Sequence, residues 1–291
     1  MKLFSYLFIF LNLTVMISSQ DSVKSFHSNQ NKNTNKFNLF PPIVKNLKLS
    51  SSGIQSIINK AKNYPIEDIK DGDIVFMETS VGKLEFKLFP DVAPNHCINF
   101  KRLANSGFYD GTLFHRVIKD YIIQGGDILS RDHEKANDGT GGPGWTIDSE
   151  FNNKSHKRGT LSMIRSADPN SAGSQFFICI NDSKHLDNQY TIFGEVSKNM
   201  HILDRISNSE THYSKIKKKM KYYIPEGDDT TKWIKLKDPK TGENFYSKIP
   251  QNLDSIKYKS ITQKLLYNDA PISDIVIKKI RVKSLNETNK P

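Results

Sequence analysis

Cysteine is scarce. The chain has 291 residues and two cysteines, too few for a disulfide scaffold or a cysteine-rich zinc site. No run reaches the roughly 18 apolar residues that a membrane span in the mature chain needs. The middle of the chain also lacks positive charge. The net +11 divides into +6 over residues 1–70, −4 over 71–210 and +9 over 211–291. A nucleic-acid-binding core would carry basic charge on itself; here the flanks are basic and the core is mildly acidic. With 36% hydrophobic and 10% aromatic residues the chain can pack a core, so it is not disordered throughout. Its length allows one large or two small domains.

Residues 1–19 read as a signal peptide. Lys2 supplies the positive charge, about 15 largely apolar residues follow, and Ser18 and Ser19 end the stretch. Asn12 within the stretch, and the lack of a stop-transfer cluster behind it, argue against a membrane anchor. Residues 20–70 read as a basic, Asn/Lys-rich spacer or transit-like segment. Between Gln20 and Lys62 there is a single acid, Asp21, and no sustained apolar period. The expected destination is the secretory pathway (ER lumen or secreted), or else an organelle reached through a bipartite leader.

Thirteen of the sixteen glycines fall between Gly72 and Gly194, which places the turn-rich fold there. Residues 73–78 and 83–88 alternate apolar and polar around a link containing Gly82, predicting a β-hairpin. Residues 93–106 predict a helix, with Pro94 in its first turn, Gly107 closing it, and Cys97, Phe100, Leu103 and Ala104 on one face. Short strands are predicted at 114–118, 122–125, 160–163, 175–180 and 191–196, and a second helix at 199–206. Many short strands and only two helices suggest a closed antiparallel barrel.

Several segments carry more than spacing. In order they are Phe114–Ile118 (FHRVI), Gln124–Asp127 (QGGD), Asp138–Gly142 (DGTGG), Leu161–Met163 (LSM), Gly173–Ile178 (GSQFFI), and Leu186-Asp187 followed by Thr191–Gly194 (TIFG). Together they resemble the cyclophilin family over residues 72–207, with 165–173 closer to the bacterial and small types. The resemblance implies a mainly β fold: an eight-stranded closed antiparallel β-barrel capped by two α-helices. On this reading the domain spans 71–283, with an insertion at 208–270 before a last strand at 275–282 and a tail at 284–291. The implied activity is peptidyl-prolyl cis–trans isomerisation without metal or cofactor. The implied partners are proline-containing polypeptides, and a monomer that binds no nucleic acid is expected.

Rotation about an Xaa-Pro bond crosses a barrier of about 18–20 kcal/mol and breaks no bond, so neither nucleophile nor acid–base pair is needed. Twisting removes amide conjugation, and a fixed donor beside the amide then favours the transition state. The resemblance gives that role to Arg116, with Gln124, Phe177 and His115 as further catalytic residues; His115 shapes the pocket rather than transferring protons. Substrate binding is assigned to Tyr121, Ile122, Gln175, Ile164, Arg165, Leu186, His185, Tyr190 and Gly139. Alternation sends Phe176 and Phe177 to opposite faces, one to the core and one to the site.

Some positions depart from the common family pattern. His185 stands where many members have Trp, Tyr190 where a second His is common, Ile122 for Met, Tyr121 for Phe, and Ile164-Arg165 for Ala-Asn. Tyr121 and Ile122 keep an apolar wall of similar volume. Loss of the tryptophan predicts weak cyclosporin binding, and the bulk of Ile164 predicts a narrower range of peptides. Cys97 and Cys179 read as buried thiols, with a disulfide between them the alternative. Asn153, Asn181 and Asn286 begin glycosylation sequons, of little weight in an Asn-rich chain. In the insertion, Lys215–Lys221 (KIKKKMK) beside Tyr222-Tyr223 allows a nucleic-acid or acidic lipid surface as partner, or a solvated loop or extra subdomain packed on the barrel, and residues 233–246 predict a hairpin. The expected function is an isomerase assisting protein folding. The alternative is a proline-peptide binding module or chaperone with little turnover.

Overall fold

Strands β1 (Asp73–Thr79) and β2 (Gly82–Leu88) form the expected hairpin. Their period-2 pattern buries Val75, Met77, Leu84, Phe86 and Leu88, which fixes the register because a one-residue slip would turn all of them to solvent. The computed structural model describes residues 48–284. The expected signal peptide, most of the spacer and nearly all of the tail lie outside the described residues.

Helix α2 (Pro94–Ser106) starts on Pro94 and ends at Gly107 in the left-handed region, φ +84°, where a side chain would be strained. Its first N–H groups are satisfied from a distance: Asn95 N and His96 N both donate to the Glu150 carboxylate at 2.9 Å, an anion at the positive end of the helix. Cys97, Phe100, Leu103 and Ala104 pack inward. There Phe100, Tyr109, Phe176 and Phe193 meet with ring centroids 5.2–5.8 Å apart.

The remaining main-sheet strands are β3 (Arg116–Ile118), β4 (Ile122–Gly125), β5 (Thr160–Met163), β6 (Phe176–Cys179), β7 (Ile192–Lys198) and, at the C-terminal end, β10 (Ile277–Ser284). They form one antiparallel eight-stranded sheet in the order β10-β1-β2-β7-β5-β6-β4-β3. The expected closed barrel is not what forms. The sheet is a half-barrel whose end strands, β10 and β3, share no ladder. Along the seam there is an isolated bridge between Leu113 and Val276, with Phe114 N donating to Ile275 O at 2.9 Å. Further along, the outer edge of β3 meets Asp269 instead, Val117 N donating to its carbonyl at 2.9 Å.

More helices are present than expected. Beside α2 and α3 (His201–Ser207), helix α1 (Ser51–Lys62) lies inside the segment read as a spacer. Ser50 caps it, Ile54 and Ala61 are buried in the main core, and Arg102 of α2 donates to the Ala61 carbonyl at 3.0 Å. The insertion folds as a small α/β unit: α4 (His212–Lys219), β8 (Trp233–Lys237), β9 (Asn244–Lys248) and α5 (Ser255–Leu266). Met220, Ile234, Leu236, Phe245 and Leu266 form its own core. Part of the basic run is therefore structural, with Lys217 paired to the buried Asp238 and its ammonium 4.0 Å from the Phe245 ring centroid. Both cysteines are buried and free, so the disulfide alternative does not hold. Burial pushes each thiol up to about 12. Among the described residues no helix is long and apolar enough to cross a membrane.

Candidate active site

The register across four strands builds the site. Arg116 of β3 lies opposite Gln124 of β4, Gln124 opposite Phe177 of β6, and Phe177 opposite Ser162 of β5. Directly opposed residues point to the same face, so a cation, an amide and a phenyl ring form one row. In the next such row Ile118, Ile122 and Cys179 are matched. Ile122, Phe177, Cys179 and Leu186 make a small apolar cluster separate from the main core, flanked by Ile118, Tyr121, Ile164 and Tyr190. Phe176 and Ile178 go to the main core, as alternation requires.

A chain of hydrogen bonds leads away from Arg116. Its Nη1 donates to Gln124 Oε1 at 3.4 Å, Gln124 Nε2 donates to Gln175 Oε1 at 3.0 Å, and Gln175 Nε2 donates to the carbonyls of Gly139 and Gly141 at 2.9 Å each. The loop at 139–141 is itself held by buried Asp127, which accepts from the backbone of Leu129 at 2.8 Å and of Gly139. Burial raises the Asp127 carboxyl, and those backbone donors oppose the rise. Gly126 lets the chain turn from β4 into this loop. Its φ is +85°, and a Cβ there would meet the Ser174 carbonyl oxygen at 2.5 Å.

Phe177 is backed by His156, whose ring lies parallel at 8° with centroids 5.8 Å apart. His156 Nδ1 bonds Asp187 at 2.8 Å and Nε2 lies 3.1 Å from Ser162 Oγ. Burial lowers the His156 pKa against the opposing effect of Asp187. Tyr190 meets the edge of Phe177 at 5.4 Å. The Arg165 guanidinium sits 5.3 Å from the Tyr190 centroid and donates to Gln189 O at 2.8 Å, so it is fixed at the rim. Tyr121 and His185 stack at 5.5 Å and share a 3.0 Å hydrogen bond between the Tyr121 hydroxyl and His185 Nε2.

The residues expected at the site are thus brought together on one face. Arg116, Gln124, Gln175 and Gly139 form the polar side. Phe177, Ile122, Leu186, Tyr121, Ile164 and Tyr190 form the apolar side, and His185 and Arg165 stand beyond it. His115 faces Gly139, where an added Cβ would lie 3.7 Å from His115 Nε2. Three positions were given no role by the sequence: Asp127, His156 and Asp269. Asp127 lies inside a family block, a signal that was available. His156 and Asp269 reach these residues through contacts that only the fold creates.

The family model for cyclophilin type peptidyl-prolyl cis-trans isomerases matches residues 74–224. The chain belongs to the cyclophilin family. It is 41% identical over 137 residues to peptidyl-prolyl cis-trans isomerase B of Bacillus subtilis, covering 46% of this chain and 90% of that protein. It is 36% identical over 160 residues to a peptidyl-prolyl cis-trans isomerase of Helicobacter pylori, covering 53% and 93% respectively. Among solved structures it is similar to a cyclophilin type isomerase of Cryptosporidium parvum, with a TM-score of 0.50 and 27% identity over 73% of this chain and 98% of that one.

In this cyclophilin His115 is buried. Burial, helped by the neighbouring Arg116 charge, lowers its pKa to about 4. The imidazole is therefore neutral at pH 7. Between pH 6.5 and 4 the unfolded chain binds the proton that the folded chain refuses. Stability is thus present above pH 6.5 and falls as pH drops through this window, by about 3 kcal/mol for this group. Urea unfolding at pH 7 and pH 4.5 should show the loss, and His115→Asn should flatten part of it. His96 and His156, also lowered, keep the remainder.

Proposed function

We propose that this cyclophilin catalyses cis–trans rotation of Xaa-Pro bonds in polypeptides and so assists protein folding, with Arg116 as the donor that stabilises the twisted amide. The observation that carries this reading is the row Arg116-Gln124-Phe177. It sets a guanidinium held by an amide beside the apolar cluster of Ile122, Phe177 and Leu186. The ring enters over Phe177, Ile122 and Leu186, leaving the flanking chain free to turn along the polar side. Gln124 and Gln175 orient the arginine through hydrogen bonds already formed, so little reorganisation accompanies the twist. His115, neutral, closes the pocket beside Gly139. None of these groups needs to gain or lose a proton.

The test is the exchange rate between cis and trans forms of a short Xaa-Pro peptide, measured without protease coupling. Enhancement by the chain supports the enzyme; bound peptide without enhancement would make it a proline-peptide binding module. For its place of action we propose the secretory pathway, on the residue pattern of 1–19, with an organelle reached by a bipartite leader as the alternative.

We also propose weak cyclosporin binding. His185 is already engaged with the Tyr121 hydroxyl and offers less flat surface than an indole. His185→Trp is expected to tighten cyclosporin about 10-fold, read by fluorescence titration; unchanged affinity would contradict this account of the position.

A further inference from the structure

Asp269 lies where the chain returns from the insertion toward β10, more than 150 residues from β3. Its carbonyl accepts from Val117 N at 2.9 Å, one residue past Arg116. Its carboxylate, with only 8% of the side chain exposed, places Oδ2 3.6 Å from Arg116 Nε, while Oδ1 accepts from Lys240 Nζ. The segment carrying it is fixed to the insertion: Tyr213 N donates to Asn268 O at 2.8 Å, His212 N to Ala270 O at 3.1 Å, and Ile272 N to Glu210 O at 2.8 Å. Lys240 is fixed as well. Its ammonium lies 3.8 Å from the Tyr213 ring centroid, and its backbone N donates at 2.9 Å to buried Asp238, which also accepts from the Tyr213 hydroxyl at 3.0 Å.

An exposed ion pair is worth little, and Arg116 is one-third exposed. What sets this one apart is geometry. Gln124 accepts from Nη1 of the guanidinium at 3.4 Å and the Asp269 carboxylate forms an ion pair with Nε at 3.6 Å, so two points of one planar group face partners from different parts of the fold. A single tie lets the plane swing about the tie; two define it. Lys240 takes up part of the carboxylate's charge, so Asp269 orients Arg116 without cancelling its field.

We propose that Asp269 is a positioning residue for the isomerase reaction, acting through Arg116, and that the insertion thereby takes part in turnover. This rests on the reading of Arg116 as the donor. The test is a double-mutant cycle on an Xaa-Pro peptide with the full chain, accompanied by melting curves. Asp269→Asn keeps the shape and removes the charge. It is expected to lower kcat about 10-fold with KM within about 2-fold, Asp269→Glu recovering most of the loss. In an Arg116→Ala background the same change should cost nothing further. Equal losses in both backgrounds, or full activity of Asp269→Asn beside an impaired Arg116→Ala, would overturn the proposal and leave the donor assignment standing. An Arg116→Ala chain as active as the wild type would remove the donor assignment and the proposal with it. Should Asp269→Asn not fold, the Arg116 Nε–H resonance decides. A slowly exchanging signal that moves in Asp269→Glu supports the tie, and one exchanging like a free arginine refutes it.

Discussion

Arg116→Ala is expected to lower kcat/KM toward an Xaa-Pro peptide by about 10²–10³-fold, the cost of losing one preorganised donor at a site of developing charge. Its melting temperature should fall by no more than about 4 °C. The side chain is partly exposed, Gln124 keeps its bond to Gln175, and Asp269 keeps Lys240. Arg116→Lys should recover only part of the rate, because an ammonium cannot reproduce the planar fork held by Gln124. Line-shape or exchange NMR on the peptide reads the rate, and calorimetry separates it from unfolding. A variant that loses rate and fold together would return Arg116 to a structural role.

Phe177→Ala has the second large effect, and it should appear in two measurements at once. Phe177 is fully buried against His156, Tyr190 and Ile122, so truncation leaves a cavity costing about 3–5 kcal/mol. That corresponds to a fall in melting temperature of roughly 6–20 °C. Well below the transition, kcat/KM should still be down about 10–100-fold, because the hollow for the proline ring has lost its floor. Phe176→Ala supplies the contrast. Its ring packs with Phe100, Tyr109 and Phe114 in the main core, so stability should drop comparably while the folded fraction keeps its KM. Equal kcat/KM values for the folded fractions of the two variants would contradict the division of β6 between core and site.

That division is legible in the sequence: period-2 alternation sends the two neighbouring phenylalanines to opposite faces, and the family resemblance assigns Phe177 to the site. The strands at 122–125 and 160–163 are legible as well, each a short run adjoining a glycine, Gly125-Gly126 in one case and Gly159 in the other. Helix α1 carries a sequence signal, Ser50 as cap and then Ile54, Ile57, Ile58 and Ala61 at helical spacing. The surrounding Asn, Lys and Ser composition hides it. Barrel closure does not follow from the sequence pattern. Strand count fixes how many strands a sheet has, whereas closure depends on whether its two end strands meet, and the segment around Asp269 occupies the edge of β3. His156 and Asp269 illustrate the general limit. A ring stacked beneath a pocket and a carboxylate arriving from a distant segment leave no periodicity or spacing to read.

The pairing of β1 with β10, Asp73 beside Ser284, has a consequence for synthesis on the ribosome. Val75 and Met77 gain one neighbour as soon as β2 emerges, but the other edge of their strand waits for the last residues of the sheet. At about 5–20 residues per second, the segment 208–270 lengthens that wait by roughly 3–13 s. Throughout that time an unpaired strand is open to other nascent chains. The insertion, which builds its own core from nearer neighbours, can fold during the delay, so the segment bearing Asp269 can already be shaped when β10 arrives to complete the sheet.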